Sequence, residues 1–294
     1  QATPFGNNGT AVATNAVDGQ LLFYTDGAVI YGKNHLVLPG GNAIGADNSL
    51  RHPVTIVPSN NPNDDIFFVY LINSSGDLQV LSVDMALGEF GEATASPQGT
   101  GFSNLAEFVS SYRLGDSYFL VFQSDNRLEM AQVQNDGSLL SIADHQISVE
   151  FSLTNASLRA QGSDTIQFAL SSNNVNGSPK NIVLLDLDVS DISNPTFQNE
   201  NILPNTGAVG QLITDLEWSI GGRNLYYSRN NLNTGEGRLI QLNLDSASAE
   251  NILNRPVSSL DALKNGPDGN LYFLYNNGAE EFLSRIINAD SIPD

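Results

Sequence analysis

Four carboxylates and three basic side chains stand on or beside short apolar runs: Glu107, Asp215, Glu217 and Asp261, with Arg51, His52 and Arg159. Carboxylates gathered at one mouth raise one another's pKa, and such a group can hold a cation or bind a polar ligand. A second group, Asp186, Asp188 and Asp191, follows an apolar run and suits Ca²⁺ in kind, although it lacks the glycine and the terminal glutamate of an EF-hand loop. The plainer account of both groups is strand alternation, which turns half of such residues outward, and Asx turns at strand ends. Other chemistries are excluded by pattern. His35, His52 and His145 share no ligand spacing, there is no Gly-x-Ser-x-Gly elbow, P-loop or dinucleotide fingerprint, and no cysteine supplies a thiolate, a disulfide or a nucleophile.

The elements that must position these residues repeat along the chain. Leu21 to Tyr24 and Ala28 to Tyr31 are short apolar runs joined by the turn residues Thr25-Asp26-Gly27, which reads as a hairpin. The hairpin recurs at Asp65 to Tyr70, Asp116 to Leu120, Asp164 to Phe168, Arg223 to Tyr227 and Asp268 to Phe273. The spacing is roughly 45 to 60 residues, the scale of a propeller blade. A leading run precedes each hairpin, as in Pro53 to Val57, Phe108 to Tyr112, Ser157 to Ala160, Thr214 to Ser219 and Ser259 to Leu263. A further run follows most of them, as in Leu78 to Asp84 and Arg127 to Val133. The expected fold is all-β, a single β-propeller domain over residues 1–294 with six or seven four-stranded blades. Glu92 to Asn104 and Asn194 to Ala208 read as loops, and a seventh blade requires strands hidden between Asp191 and Leu212. In a propeller the first strand of each blade lines a central channel, so Glu107, Asp215, Glu217 and Asp261 are expected to converge there. Amides in place of Asp215 and Asp261 are expected to keep the shape and remove the charge. The Ser/Asp boxes of sialidase-like propellers are missing, and one tryptophan is few for a carbohydrate platform.

Of the 294 residues, 12 are Lys or Arg and 32 are Asp or Glu, a formal charge of −20. Nucleic acid and anionic membrane are repelled by such a field, while cations and basic partners are favoured. No apolar run approaches the length of a membrane span. Gln1 in place of an initiator Met fits a mature, exported chain.

The N-terminal third carries a more specific signal. Gly9-Thr10-Ala11, Gly19 to Gly27 with Leu-Leu-Phe-Tyr-Thr-Asp-Gly, Lys33-Asn34-His35, Leu38-Pro39-Gly40-Gly41 and Ile56-Val57-Pro58 resemble exported β-propellers of Bacteroidota. That family is associated with gliding motility and type IX secretion. The chain departs from it at Tyr31, where Trp is common, and at Arg51-His52, where Gln or Ser is usual. The resemblance implies an extracellular or cell-surface, non-catalytic binding or adhesion module, with a protein or glycan partner and a place in a larger surface assembly. Two other readings stand beside it. One is a propeller hydrolase or lyase with a metal in its acidic channel, and the other is a structural subunit of a surface filament.

Overall fold

The computed structural model describes residues 10–61, 64–147, 152–173, 182–203, 211–231, 233–246, 248–253, 257–266 and 268–290, with the side chains of Ala95, Ser152, Asn173 and Asp261 outside that description. The chain is an all-β β-propeller whose described strands form six antiparallel blades. It divides into two compact units, Gln1–Gln146 and Ile147–Asp294, each holding three blades.

In the first unit, blade one is β1 (Ala11–Thr14), β2 (Leu21–Thr25) and β3 (Ile30–Gly32). Blade two is β4 (Val54–Pro58), β5 (Ile66–Ile72), β6 (Leu78–Asp84) and β7 (Glu92–Gly99). Blade three is β8 (Leu105–Leu114), β9 (Ser117–Ser124), β10 (Arg127–Val133) and β11 (Leu139–Gln146). In the second unit, blade four is β12 (Ser152–Ala160), β13 (Thr165–Asn173), β14 (Ile182–Asp188) and β15 (Thr196–Leu203). Blade five is β16 (Gln211–Trp218), β17 (Asn224–Asn231), β18 (Glu236–Asn243) and β19 (Ser248–Asn251), and blade six is β20 (Ser259–Asn265), β21 (Leu271–Asn276) and β22 (Glu281–Ile286).

The middle strands of blades two and five are apolar on both faces because each packs against a neighbour on both sides within its own unit. Along β5, Val69 and Leu71 join Phe23 and Ile30 of blade one, while Phe68, Tyr70 and Ile72 join Leu120 and Phe122 of blade three. The period of two therefore divides one strand between two cores. Blade five repeats the device: Leu225 and Tyr227 face Ala169, Ile182 and Leu184 of blade four, and Tyr226 packs with Leu263 and Phe273 of blade six. Some blade contacts go through turns. Gly137, in the turn between β10 and β11, accepts the Tyr70 hydroxyl on its carbonyl at 2.7 Å.

The residues expected in loops at Glu92 to Asn104 and Asn194 to Ala208 contain β7 and β15, the outer strands of blades two and four. An outer strand pairs on one side only and has little to bury, so it carries no apolar alternation to read; β19 is exposed at every position. Between Asp191 and Leu212 the described residues hold β15 and the first residues of β16, which belong to blades four and five, and the described strands make no seventh sheet. No helix among the described residues is long and apolar enough to cross a membrane.

Candidate functional site

The leading strands of the second unit carry Arg159, Asp215, Glu217 and Asp261, and each of the three strands is interrupted by a register shift. The shifts fall between Leu153 and Asn155, Ile213 and Leu216, and Leu260 and Ala262. A bulge releases backbone groups from the ladder and swings side chains off the expected face. In β12 and β16 the bulge is built by a Thr-Asx pair. The Thr154 hydroxyl bonds Ser171 at 2.8 Å, and Thr214 bonds Ser228 in the same way. Asn155 Oδ1 accepts the N–H of Ala156 at 2.8 Å, and Asp215 Oδ1 accepts that of Leu216 at 2.8 Å.

Asp215 then ties three blades together. Its Oδ1 also accepts the Asn155 amide of blade four, and its Oδ2 accepts the backbone N–H of Leu263 in blade six at 2.8 Å. At 4% exposure the carboxylate has no open face toward a ligand. Burial pushes Asp215 up to about 6, against the pull of these donors and of Lys264. Beside it, the Asn230 amide donates to Leu260 C=O at 3.0 Å and its Oδ1 accepts Leu260 N–H at 3.0 Å, a second clamp between blades five and six.

Glu217 lies two residues further along β16 and keeps a 12% exposed side chain. Its Oε1 accepts the Asn265 amide at 3.0 Å, and Oε2 stands 3.8 Å from the ammonium of Lys264, which is itself mostly in solvent. Burial raises the Glu217 pKa first, Lys264 opposes that, and the neighbouring Asp215 raises it further. Asp215 and Glu217 thus lie close together, Asp215 inside the protein and Glu217 at its edge. Asp261 belongs to β20 at its register shift, and its side chain lies outside the described residues.

Arg159 and Asp186, assigned to separate groups on sequence, share one network in the second unit. The guanidinium lies 4.1 Å above the Trp218 ring, donates to Gln167 Oε1 at 3.1 and 2.7 Å and reaches the Gly222 carbonyl. Gln167 passes the link on to Asp186 Oδ1 at 2.8 Å, and Asn199 donates to Asp186 Oδ2 at 3.3 Å. Asp188 and Asp191 instead cap turns, accepting the N–H groups of Ser190 at 2.9 Å and Ser193 at 3.0 Å. The Ser190 hydrogen bonds hold Asp188 below the usual carboxylate range. Among the described residues no three His, Asp or Glu side chains gather as a metal site would require.

In the first unit the structure joins Arg51, His52 and Glu107. His52 N–H donates to Glu107 C=O at 3.0 Å and Val109 N–H to His52 C=O at 2.9 Å, a parallel bridge from the segment before β4 to β8. The side chains of Arg51 and Glu107 approach to 3.9 Å, a quarter to a third exposed.

The residues that sequence reasoning passed over are amides: Asn155, Asn230, Asn265 and Gln167. One signal for them is present. Thr154-Asn155 and Thr214-Asp215 are the same dipeptide type on successive leading strands. What this arrangement does chemically is satisfy bulge backbone between blades, with Glu217 and Lys264 as the part that reaches solvent.

No protein-family model matches the sequence. No curated protein matches it either. Among solved structures the chain is similar to the hydrazine synthase of Kuenenia stuttgartiensis, with a TM-score of 0.56 and 11% identity over 93% of this chain and 75% of that one. It is also similar to the Dos1 propeller, with a TM-score of 0.52 and 13% identity over 95% of this chain and 69% of that one. At these identities the likeness shows the fold, and the fold is a β-propeller.

Proposed function

We propose that this chain is a secreted or cell-surface β-propeller that binds a protein or glycan partner, within a larger surface assembly, and performs no chemistry on it. One observation carries the reading: Asp215, the most buried carboxylate of the expected acidic cluster among the described side chains, spends both oxygens on Asn155 and on the amides of Leu216 and Leu263. A carboxylate committed to three blades is structural cement, and neither a substrate nor a cation finds a lone pair there without dismantling the bulge. The net charge of −20 favours a basic or cationic partner, and the absence of cysteine is compatible with export. The resemblance of the first two repeats to exported Bacteroidota propellers supports the surface location.

The competing reading is a hydrolase or lyase, and Glu217 is what favours it. A partly exposed carboxyl with a raised pKa is the kind of group that serves as a general acid. Glycan-hydrolysis and lactonase assays with and without Ca²⁺ separate the two. The binding reading expects no turnover, together with saturable retention on a surface protein or glycan array. Ca²⁺-dependent turnover lost in Glu217→Gln would overturn it.

A further inference from the structure

At one end of blades two and three the turns enclose a hollow of about 570 Å³. That is a ligand-sized space, yet Val133 is the one apolar residue in its lining, whereas small-molecule pockets are mostly apolar. Every lining residue belongs to the first unit: Asn60 follows β4, Ser117 opens β9, and the others end β10 and form its turn to β11. Three of the lining amides spend their NH₂ groups on the protein. Asn60 donates to Val133 C=O at 2.7 Å, Gln132 to Ser117 Oγ at 3.1 Å and Gln134 to Gln132 C=O at 3.3 Å, which fixes the end of each amide that carries the oxygen. The three oxygens take no hydrogen bond from the described residues, and Asn60 Oδ1 is buried, where an unmet acceptor is costly. Asp136 adds a negative charge, and no Lys or Arg lines the hollow to pair with it. Its Oδ1 accepts the hydroxyl and the N–H of Ser138 at 2.6 and 2.9 Å, bonds that hold the carboxyl below the usual carboxylate range and keep it ionised.

We propose that this hollow takes the guanidinium group of an arginine carried by a partner protein. A lining of amide oxygens and a carboxylate suits a group that has donors and no acceptor, and ammonium and guanidinium are such groups. With three amide oxygens and the carboxylate to meet, the five N–H donors of a guanidinium, fixed in one plane, serve better than the three of an ammonium. A sugar brings acceptors of its own to face these oxygens, and no aromatic ring lines the hollow to carry a sugar face. Asp136 meets the cation with a charge-assisted hydrogen bond, and the net charge of −20 draws basic partners in from a distance. The inference rests on the binding reading and gives that reading a basic partner and a place on the molecule.

An amide NMR titration with N-acetylarginine methylamide, which presents the side chain as a residue within a chain does, tests it. Saturable shifts are expected at Asn60, Ser117 and Gln132 to Ser138, with a dissociation constant on the order of 1 mM, as one charge-assisted side chain can supply. N-acetylcitrulline methylamide keeps the shape without the charge and should shift nothing. Asp136→Asn leaves an oxygen for Ser138 and should weaken the arginine probe by roughly tenfold. Glu250→Gln removes the same charge from the exposed β19 of the second unit and should leave the probe's affinity unchanged. Thermal melts confirm that both variants fold. Shifts absent from these residues, equal shifts with the citrulline probe, or equal weakening by the two variants would overturn the proposal. So would N,N′-diacetylchitobiose shifting the same residues, which makes the hollow a glycan site. None of these outcomes touches the binding reading, which the turnover assays decide.

Discussion

At Asp215 the chemistry of one side chain decides between a ligand site and a joint. The sequence places it two residues from Glu217 on a leading strand, and simple alternation would send both into open space together. The bulge between Ile213 and Leu216 breaks that alternation and turns Asp215 into the protein, where only hydrogen-bond donors meet it. The closeness of Asp215 and Glu217 follows from their spacing on one strand. The burial of Asp215 was not legible in the sequence, because a one-residue bulge leaves no mark in composition or period. An amide was expected to be a harmless replacement, and the geometry says otherwise. Asparagine offers one acceptor where two oxygens now accept three donors, and its NH₂ would face the Leu263 N–H or the Asn155 amide. Asp215→Asn should lower unfolding free energy by about 1 to 3 kcal/mol, the cost of leaving buried donors unmatched. Urea denaturation at neutral pH measures it. A variant as stable as the wild type would mean the anion gains nothing from these donors.

At the scale of elements the inner three strands of each blade were readable and the fourth was not. β5 and β17 announce themselves with aromatic and β-branched runs because both of their faces are covered. β11 and β15 are half in solvent and β19 is exposed throughout, so none of them carries an apolar alternation to read. The aromatics singled out by the repeat sit where a blade core requires them. Tyr227 is 2% exposed between blades four and five, and Phe273 is 5% exposed between blades five and six. Truncating either to alanine should cost about 3 to 5 kcal/mol in thermal or chemical unfolding. Melts unchanged in both would break the assignment of the last two blades. The turn at Gly137 carries a subtler demand. Its φ is +81°, and a Cβ there would lie 2.5 Å from the Phe68 ring, while its carbonyl holds the Tyr70 hydroxyl. Gly137→Ala should therefore destabilise by roughly 1 to 3 kcal/mol, through strain and through displacement of Phe68 from the shared core. Tyr70→Phe at the same joint removes one buried hydrogen bond and should cost only about 1 kcal/mol. If the two variants lose stability equally, the turn is not packed against blade two in the way the ring contacts require.

Across the whole molecule charge outweighs every local contact in setting the direction of the pH response. With 32 carboxylates against 12 basic side chains, the folded state concentrates repulsion that the unfolded chain dilutes. Asp215 adds to this in a defined window. Its folded pKa, raised to about 6 by burial, lies above the ordinary aspartate value of 3.8, so between those limits the native state binds a proton that the unfolded chain has released. Stability from this group therefore falls as pH rises from 3.8 to about 6 and stays at its lower level above that, and Glu217, also raised, acts with the same sign. Asp136, Asp188 and Asp268 oppose it. Hydrogen bonds from Ser138, Ser190 and Tyr272 depress their pKa values, so their contribution is present above the ordinary aspartate value and is lost only as pH falls below it. The two sets leave an interval on the acid side of neutrality in which the buried carboxyls are already protonated and the turn caps are still ionised. The melting temperature should peak there rather than near pH 7 or above. Added NaCl should raise it more at pH 8 than at the peak, since screening relieves only repulsion that exists. Differential scanning calorimetry at a fixed scan rate, over pH 4 to 8 and at low and high salt, measures both effects. A melting temperature that rises steadily toward pH 8, with no gain from salt, would mean that neither the buried carboxyls nor the summed charge opposes this fold.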